Sequence, residues 1–335
     1  MKAKSARSIT CTIGIAALAA AGFSNVFRAQ ASQNAARRTP AATPDIHVLK
    51  VRPNIYMLSG AGGNITVLTF AQGVVAVDTG TAEMADAVLE TILRITDKPI
   101  VDIINTSASE DHVGGNAKFA ASGRRIPAEV IAGEGPMIIA HERVLNRLSA
   151  PSGAQAAAPE RAWPNETYHK DTMKLSTHFH GGEAIELVYA PAAHSDGDSL
   201  VWLRHADVIA AGDIFMTTTY PIIDVAAGGT IDGVIDGLNR LLDIAFPDFR
   251  SEGGTMIVPG HGRLSDMADV GYYRDMLTII RDRVLDSIKK GRTLEQVKAA
   301  KLTRDYDPRY GSTAGSWTTD AFVEAVYKTL TGKTR

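Results

Sequence analysis

Hydrophobic residues in the first part of this chain form short apolar or alternating runs, with glycine-rich turns between them. The runs at 55–58, 65–70 and 74–77 predict β-strands, and helical spacing over 84–95 predicts a helix. The apolar run 100–104 then predicts a buried strand. Strands, helix and strand in this order indicate an α/β fold, whose functional groups collect where strands end.

The middle of the chain repeats this order. The predicted strands there lie at 185–189, 200–203, 208–211 and 255–258, and a helix is predicted over 231–244. Between the two parts we predict a strand at 129–132, a helix over 137–148, a long surface loop over 150–166 and a strand at 177–180. We interpret His178 and His180 as a solvent-facing pair on that last strand, not as metal ligands. The C-terminal part predicts helices at 273–288, 294–300 and 321–330.

Histidine and aspartate residues follow several of these strands. Asp111 and His112 come after the strand at 100–104, and the others follow later strands: His194, Asp213 and His261. Because strand ends meet at one edge of a layered fold, these side chains are candidates for one site. Imidazole and carboxylate groups suit a transition metal such as Zn²⁺.

The segment 105–116 resembles the signature of the metallo-β-lactamase superfamily, His-x-His-x-Asp-His, with Ser107 and Ser109 in place of the first two histidines. Four further segments of this chain match other motifs of that superfamily: Asp78-Thr79-Gly80, 191–198 around His194, 211–213 around Asp213 and 259–262 around His261. The resemblance covers about residues 48–274 and is nearest to glyoxalase-II-like hydrolases. Together with the element order it implies a four-layer αββα sandwich, to which a helical C-terminal extension is added.

The resemblance also implies which residues would bind metal. The first of two metals would have the ligands Ser107, Ser109, His194 and Asp213, and serine hydroxyls are poor zinc ligands. The second metal would have the ligands Asp111, His112, Asp213 and His261, all of them suitable. We therefore expect one Zn²⁺ in the second position, with iron or manganese as alternative divalent metals.

The expected function is hydrolysis of a carbonyl-containing bond (amide, ester, lactone or thioester) in a small molecule, by metal-bound hydroxide. Asp111 or Asp213 would orient the water, and His194, free of a metal, would act as a general acid or base or donate a hydrogen bond to an oxyanion. Asp78 would support the ligands from behind, and Tyr220 and Asp224 would line a substrate loop. One alternative is a protein that has lost hydrolysis and binds a metal or a partner. Another is an iron-dependent oxidoreductase on the same fold.

The N-terminal part predicts export. A basic start, an apolar run over 9–23 and the small-x-small sequence at Ala29–Ala31 indicate a secretory signal peptide over 1–31, cleaved near Ala31. An uncleaved membrane anchor is the alternative. A flexible leader over 32–46, a catalytic domain over 47–275 and the extension over 276–335 would follow. The mature protein, periplasmic or secreted, would have no cysteine, because Cys11 is the sole one.

Composition sets few further limits. The chain has 335 residues, 45% of them hydrophobic, which is ordinary for a globular protein. A net charge of −2 gives no electrostatic basis for binding nucleic acid. The sequence does not indicate an oligomeric state.

Overall fold

The computed structural model describes residues 45–125, 135–150, 157–245 and 253–332. From Asp45 onward the chain forms one compact unit. The predicted signal peptide, most of the leader and the predicted strand at 129–132 lie outside the described residues, as does part of the predicted loop, 151–156. Within the described ranges, no helix is long and apolar enough to span a bilayer.

One sheet is built by the first part of the chain. Its strands lie in sequence order, and they are β1 (His47–Arg52), β2 (Ile55–Ala61), β3 (Gly63–Thr69), β4 (Val74–Val77), β5 (Ile100–Ile104), β6 (Met137–His141) and β7 (Glu166–Tyr168). Strands β1 to β4 pair antiparallel, whereas β4 to β7 pair parallel. The parallel strands therefore share one edge, at which their carboxyl ends lie.

The second sheet comes from the later part of the chain. Its strands are β8 (Thr172–Lys174), β9 (Ile185–Ala190), β10 (Asp198–Leu203), β11 (Val208–Met216) and β12 (Met256–His261), in the order β12-β11-β10-β9-β8. Only β11 and β12 pair parallel in this sheet as described. This pair carries two of the predicted ligands, Asp213 and His261.

Helices cover the outer faces of both sheets. They are α1 (Ala85–Ile95), α2 (Glu110–Val113), α3 (Asn116–Ser122), α4 (Glu142–Leu148), α5 (Ile231–Ile244), α6 (Met267–Lys289), α7 (Leu294–Ala299), α8 (Asp307–Tyr310) and α9 (Thr319–Thr331). Short 3₁₀ turns occur at Ala82–Met84, Glu160–Ala162 and Thr177–Phe179.

Three hydrophobic cores account for the layers. The middle core lies between the sheets and joins residues of both, including Val77, Ile104, Leu187, Val201 and Val258. An outer core packs α1 and α3 on the first sheet, and another packs α5, α6 and α9 on the second. The predicted αββα sandwich with C-terminal helices is confirmed.

The predicted helix over 137–148 is partly wrong. Residues Met137–His141 form strand β6, and only Glu142–Leu148 is helical. Ile138 packs in the outer core and Ile139 in the core between the sheets, so the run is buried on both faces. A short apolar run of this kind has no periodicity that separates a buried strand from a helix, and pairing with β5 decides between them.

The boundary predicted between 275 and 276 falls inside helix α6, which is continuous from Met267 to Lys289. Tyr273 and Met276 are both buried in the core that joins this helix to the second sheet. The C-terminal helices are thus part of the same hydrophobic core as the sandwich.

The interpretation of residues 177–180 as a strand is wrong, and so is the expected exposure of His180, whereas His178 is exposed as expected. This segment forms a 3₁₀ turn, and His180 is buried, with Nε2 2.6 Å from Oδ2 of Asp102 on β5. Its Nδ1 lies 2.6 Å from the carbonyl oxygen of Ser176. Burial opposes protonation, but the hydrogen bonds to Asp102 and Ser176 outweigh it and raise the pKa of His180.

Replacing Asp102 with asparagine should therefore destabilise the protein in a pH-dependent way. Because the pKa of His180 is raised by folding, the ion pair contributes fully below about pH 6.5, the ordinary histidine value, and less as pH rises through the folded-state pKa. We expect Asp102→Asn to lower the free energy of unfolding by about 2 kcal/mol at pH 5.5, and by less at pH 9. Urea unfolding at both values measures this, with Asp97→Asn, at an 88% exposed side chain, as the control. An equal loss at both values would contradict the assignment.

Candidate metal centre

The ends of four strands bring the predicted ligands to one edge of the sandwich. Asp78 directly follows β4, and the loop after β5 leads into α2, which carries Asp111 and His112. Asp213 lies near the end of β11, and His261 is the last residue of β12. The pairing of β11 with β12 shifts register on both sides of Gly212, so that β11 bulges where Asp213 occurs. Such a bulge redirects a side chain at the rim of a sheet.

Four side chains form a compact cluster there. One ligand atom from each of Asp111, His112, Asp213 and His261 lies within 4.8 Å of all the others. Nε2 of His112 is 3.1 Å from Oδ1 of Asp213, and Nε2 of His261 is 2.9 Å from Oδ2 of Asp111 and 3.5 Å from Oδ1 of Asp213. These are the four residues expected to bind the second metal.

The inward-facing atoms of this cluster are buried without hydrogen-bond partners among the described residues. They are Nε2 of His112, Oδ1 of Asp213 and Nε2 of His261. The short distances between them do not have the angles of hydrogen bonds. Buried polar atoms cost free energy unless another group satisfies them. A divalent cation would satisfy all three, and two carboxylates would balance its charge, so the donor set fits a metal such as zinc.

Asp78 holds His112 from behind. Its Oδ2 lies 2.7 Å from Nδ1 of His112, which leaves Nε2 facing the cluster. Asp78 also accepts hydrogen bonds from the backbone N–H and the hydroxyl of Thr106, at 2.8 and 2.7 Å. Its backbone has a φ of 66°, a left-handed conformation that aspartate tolerates at some cost. A carboxylate behind a histidine fixes the tautomer and orientation of a metal ligand.

Residues outside the predicted set brace the loop after β5. Asn116 is fully buried, and its side chain accepts hydrogen bonds from Thr79 and Asn105 and donates to Asn105 and Ala162. The position of Asn116 directly after Gly114-Gly115 was the one sequence feature that could have indicated this role. This network holds the segment that carries Asp111 and His112.

The charges of the cluster are strongly coupled. Burial would raise the pKa of Asp213, but the neighbouring histidines, His112 first, lower it well below the ordinary value. Burial would lower the pKa of His112, but Asp213 and Asp78 raise it well above the ordinary value. The pKa of Asp111 is lowered, because contact with His261 and His112 outweighs the effect of burial. Asp111 and Asp213 are thus held in the ionised form, which a metal ligand requires.

His194 lies beside this cluster. Its Nε2 is 3.9 Å from Oδ2 of Asp213, the oxygen on the far side from His112. Nδ1 lies 3.3 Å from Oδ1 of Asp198, which also accepts the hydroxyl hydrogen bond of Ser195. Burial opposes protonation of His194, but Asp198 and then Asp213 raise its pKa to about 9. Asp198 was not among the predicted site residues, although it closes the motif that contains His194.

The serines at the first metal position are weaker metal ligands than the histidines of the family motif. Ser107 is buried, and its hydroxyl oxygen accepts the backbone N–H of Ser109 at 3.2 Å. Ser109 is half-buried and precedes helix α2, without a side-chain hydrogen bond to the helix. A serine side chain is also shorter than a histidine side chain, so neither hydroxyl extends as far toward the metal position as an imidazole would.

The prediction that Tyr220 lines a substrate loop is wrong. Its ring is buried against Phe322 of α9, and its hydroxyl donates to Asp307. Stacking under the C-terminal helices, which sequence position alone did not reveal, accounts for the difference. Asp224 is exposed, and its backbone N–H donates to the carbonyl oxygen of His194 at 2.9 Å.

Residues 58–302 match the sequence profile of the metallo-β-lactamase superfamily, which covers more than half of the chain. The chain belongs to the metallo-β-lactamase superfamily. The resemblance expected from the motifs is therefore confirmed, although both leading histidines are absent. Members of this superfamily usually bind divalent metals and are mostly hydrolases. No curated protein matches this sequence.

Solved structures with the same fold include an alkylsulfatase and β-lactamases. The stereoselective inverting sec-alkylsulfatase Pisa1 from Pseudomonas sp. superposes with a TM-score of 0.57 at 18% identity, covering 84% of this chain and 50% of that one. A double mutant of the sec-alkyl sulfatase PisA1 gives 0.60 at 20% identity, with the same coverage. The metallo-β-lactamase from Pontibacter korlensis gives 0.53 at 17% identity, covering 70% of this chain and 99% of that one. This chain thus spans about half the length of the alkylsulfatase, and at these identities the likeness concerns the fold alone.

Replacing Gly260 with alanine should disturb this centre directly. A Cβ at this position would lie 2.3 Å from Oδ1 of Asp213 and 2.6 Å from the backbone of Gly212, so one of them must move. We expect Gly260→Ala to lower the free energy of unfolding by about 1–3 kcal/mol, measured by denaturant unfolding.

Gly271→Ala is the matched control for this substitution. Gly271 lies in helix α6 with open space around it, so alanine there should be neutral or stabilise by up to about 1 kcal/mol. Equal stability of the two variants would show that the backbone at Gly260 does not approach Asp213 so closely.

Proposed function

We propose that this protein is an exported hydrolase that uses one divalent metal, zinc in the first instance, bound by Asp111, His112, Asp213 and His261. The observation that carries the proposal is the cluster of these four side chains, three of whose inward-facing atoms are buried with no hydrogen-bond partner in the described part of the chain. Iron or manganese are alternative metals, since histidine and carboxylate ligands accept them too.

The first metal position, with Ser107 and Ser109, supports the choice of a single metal. Only His194 and Asp213 remain there as strong donors, because the hydroxyl of Ser107 is engaged within its own loop. Their nearest atoms are 3.9 Å apart. Two strong ligands are too few for a tight zinc site, which has three or four.

The bound cation would supply Lewis-acid chemistry, in which a water molecule is activated and the bond to be cleaved is polarised. Asp111, with a 30% exposed side chain, lies at the open side of the cluster and can accept a proton from water. His194 is oriented by Asp198 so that Nε2 faces the site, where it can donate a hydrogen bond to negative charge that develops in the transition state.

The substrate class is a small molecule with a hydrolysable carbonyl bond: an amide, ester, lactone or thioester. The superfamily assignment supports hydrolysis in general. The solved structures with this fold are named as a sulfatase and as β-lactamases, so sulfate esters and β-lactams belong in a substrate panel.

Export is the remaining part of this proposal. It is supported by the basic start, the apolar run over 9–23 and the small residues near Ala31. Removal of this segment would also remove Cys11, which leaves histidine and carboxylate as the metal-binding groups.

A second candidate function is a metal-binding or partner-binding module that has lost hydrolysis. Ser107 and Ser109 favour it, because they remove one of the two metals expected from the family motif. The intact four-residue cluster and the oriented His194 favour the enzyme. Metal content measured together with hydrolysis separates the two.

Purified protein should contain about one equivalent of zinc, and removal by a chelator should abolish hydrolysis. We expect His112→Ala and His261→Ala each to weaken zinc binding at least tenfold, because each removes one of four ligands. Elemental analysis, chelator competition and a panel of amides, esters, lactones, thioesters and sulfate esters measure these effects. His178→Ala, at an exposed histidine outside the cluster, is the control.

Two equivalents of tightly bound zinc would contradict the proposal, as would none under metal-replete conditions. Hydrolysis that both substitutions leave unchanged would exclude a metal-dependent enzyme. One equivalent of zinc without hydrolysis of any panel member would favour the binding module.

The double substitution Ser107→His and Ser109→His should create the missing position. With His194 and Asp213 it would complete a four-ligand set, so we expect a second equivalent of zinc by elemental analysis. Ser122→His, on an exposed position of α3, controls for zinc bound by an added surface histidine. Unchanged stoichiometry in a folded double variant would argue against this placement of the two serines.

A further inference from the structure

His261 differs from the other two histidines of the site in what orients it. Nδ1 of His112 contacts Asp78, and Nδ1 of His194 contacts Asp198. No hydrogen bond to Nδ1 of His261 occurs in the part of the chain that the structure describes, and the side chain is 26% exposed. A ligand without such a side-chain partner depends on its backbone for position.

The backbone around His261 is held from two sides. On one side the amide of Asn64 donates to the carbonyl oxygens of Pro259 and Gly262, at 2.9 and 3.0 Å. On the other side the N–H of Thr217 donates to the carbonyl oxygen of His261 at 3.0 Å, and the hydroxyl oxygen of Thr217 accepts the N–H of Arg263 at 3.0 Å.

Thr217 also shapes the turn after His261. Gly262 has a φ of 101°, and a Cβ there would lie 1.9 Å from the hydroxyl oxygen of Thr217. The backbone at 261–263 thus lies in close contact with Thr217, the first residue of the loop 217–220 that follows β11. Any displacement of this loop would displace the carbonyl of His261.

The loop 217–220 is in turn fastened by the C-terminal helices. The hydroxyl of Tyr273, on α6, donates to the carbonyl oxygen of Thr219 at 2.9 Å. The hydroxyl of Tyr220 lies 2.9 Å from Oδ1 of Asp307 and 3.2 Å from the carbonyl oxygen of Thr303, and either oxygen can accept its single hydrogen. The backbone N–H of Tyr220 donates to the carbonyl oxygen of Tyr310 at 3.2 Å.

Aromatic rings pack around these hydrogen bonds. The ring of Tyr220 stacks on that of Phe322 with 4.6 Å between centroids and 4° between planes, and Tyr273 packs edge-on against Phe215 and Tyr310. Tyr220 and Tyr273 are both buried. Buried hydroxyls and their acceptors lose free energy when one partner is removed, so these bonds resist opening.

We propose that Tyr220 and Tyr273 are positioning residues of the metal site, through which the C-terminal helices hold His261 in place. The path runs from α6 and α8 through the loop 217–220 and Thr217 to the carbonyl of His261. The inference rests on the proposed function, because it treats His261 as a metal ligand. In this view the C-terminal helices orient His261, as Asp78 orients His112.

The double variant Tyr220→Phe and Tyr273→Phe tests this in the full chain. It removes both hydroxyls and keeps both rings, so the aromatic packing stays. Zinc affinity, measured by competition with a chromogenic chelator, should fall about tenfold, as for loss of a group that orients a ligand. Tyr327→Phe is the matched control, because its hydroxyl lies 3.3 Å from the carbonyl oxygen of Arg292 within the same extension. Its affinity should equal that of the unmodified protein.

A measurement on metal-free protein separates this inference from the proposed function. The amide of Thr217 should exchange its hydrogen at least tenfold faster in the double variant than in the unmodified protein, whereas the amide of Asp78, which donates to Ile104, should not change. Faster exchange without zinc binding in any form would overturn the metal proposal and keep the mechanical attachment. Unchanged exchange and unchanged zinc affinity in the folded variant would overturn the inference.

Asp307→Asn serves if the double variant does not fold. It retains an acceptor for the Tyr220 hydroxyl but removes the charge. We expect a smaller effect of the same sign on both measurements, about twofold to threefold. No effect on either would count against the inference.

Discussion

The buried carboxylate of Asp213 is the constraint around which the site is arranged. It is 3% exposed at a bulge of β11, and an ionised group at this depth is costly without positive partners. Three histidine nitrogens face it: Nε2 of His112 and Nε2 of His261 on the side of one oxygen, and Nε2 of His194 on the side of the other. The strand ends that carry these histidines must therefore meet at this point.

The layered fold makes that meeting possible and gives each histidine its own support. His112 is oriented by Asp78 on the first sheet, and His194 by Asp198 at the start of β10. Among the residues that the structure describes, no carboxylate contacts Nδ1 of His261, and the loop after β11 holds its backbone instead. The C-terminal helices thereby form part of the site's framework, although they lie behind it.

Loss of two motif histidines divides the site into two unequal halves. The half with Asp111, His112 and His261 keeps a full set of donors around Asp213, whereas the half with His194 keeps two. The same fold occurs in structures named as an alkylsulfatase and as a β-lactamase, so the fold alone does not identify a substrate.

The sequence predicted the strands and helices through apolar periodicity, and its resemblance to the metallo-β-lactamase superfamily implied the layer order and the set Asp111, His112, Asp213 and His261. Tertiary structure decided what local pattern could not. Met137–His141 forms a strand because it is buried on both faces. His180 is buried because it contacts Asp102. Tyr220 was predicted to line a substrate loop, but distant helices bury it. Each of these outcomes depends on a partner more than 25 residues away along the chain, and hydrophobic spacing carries no information about such a partner.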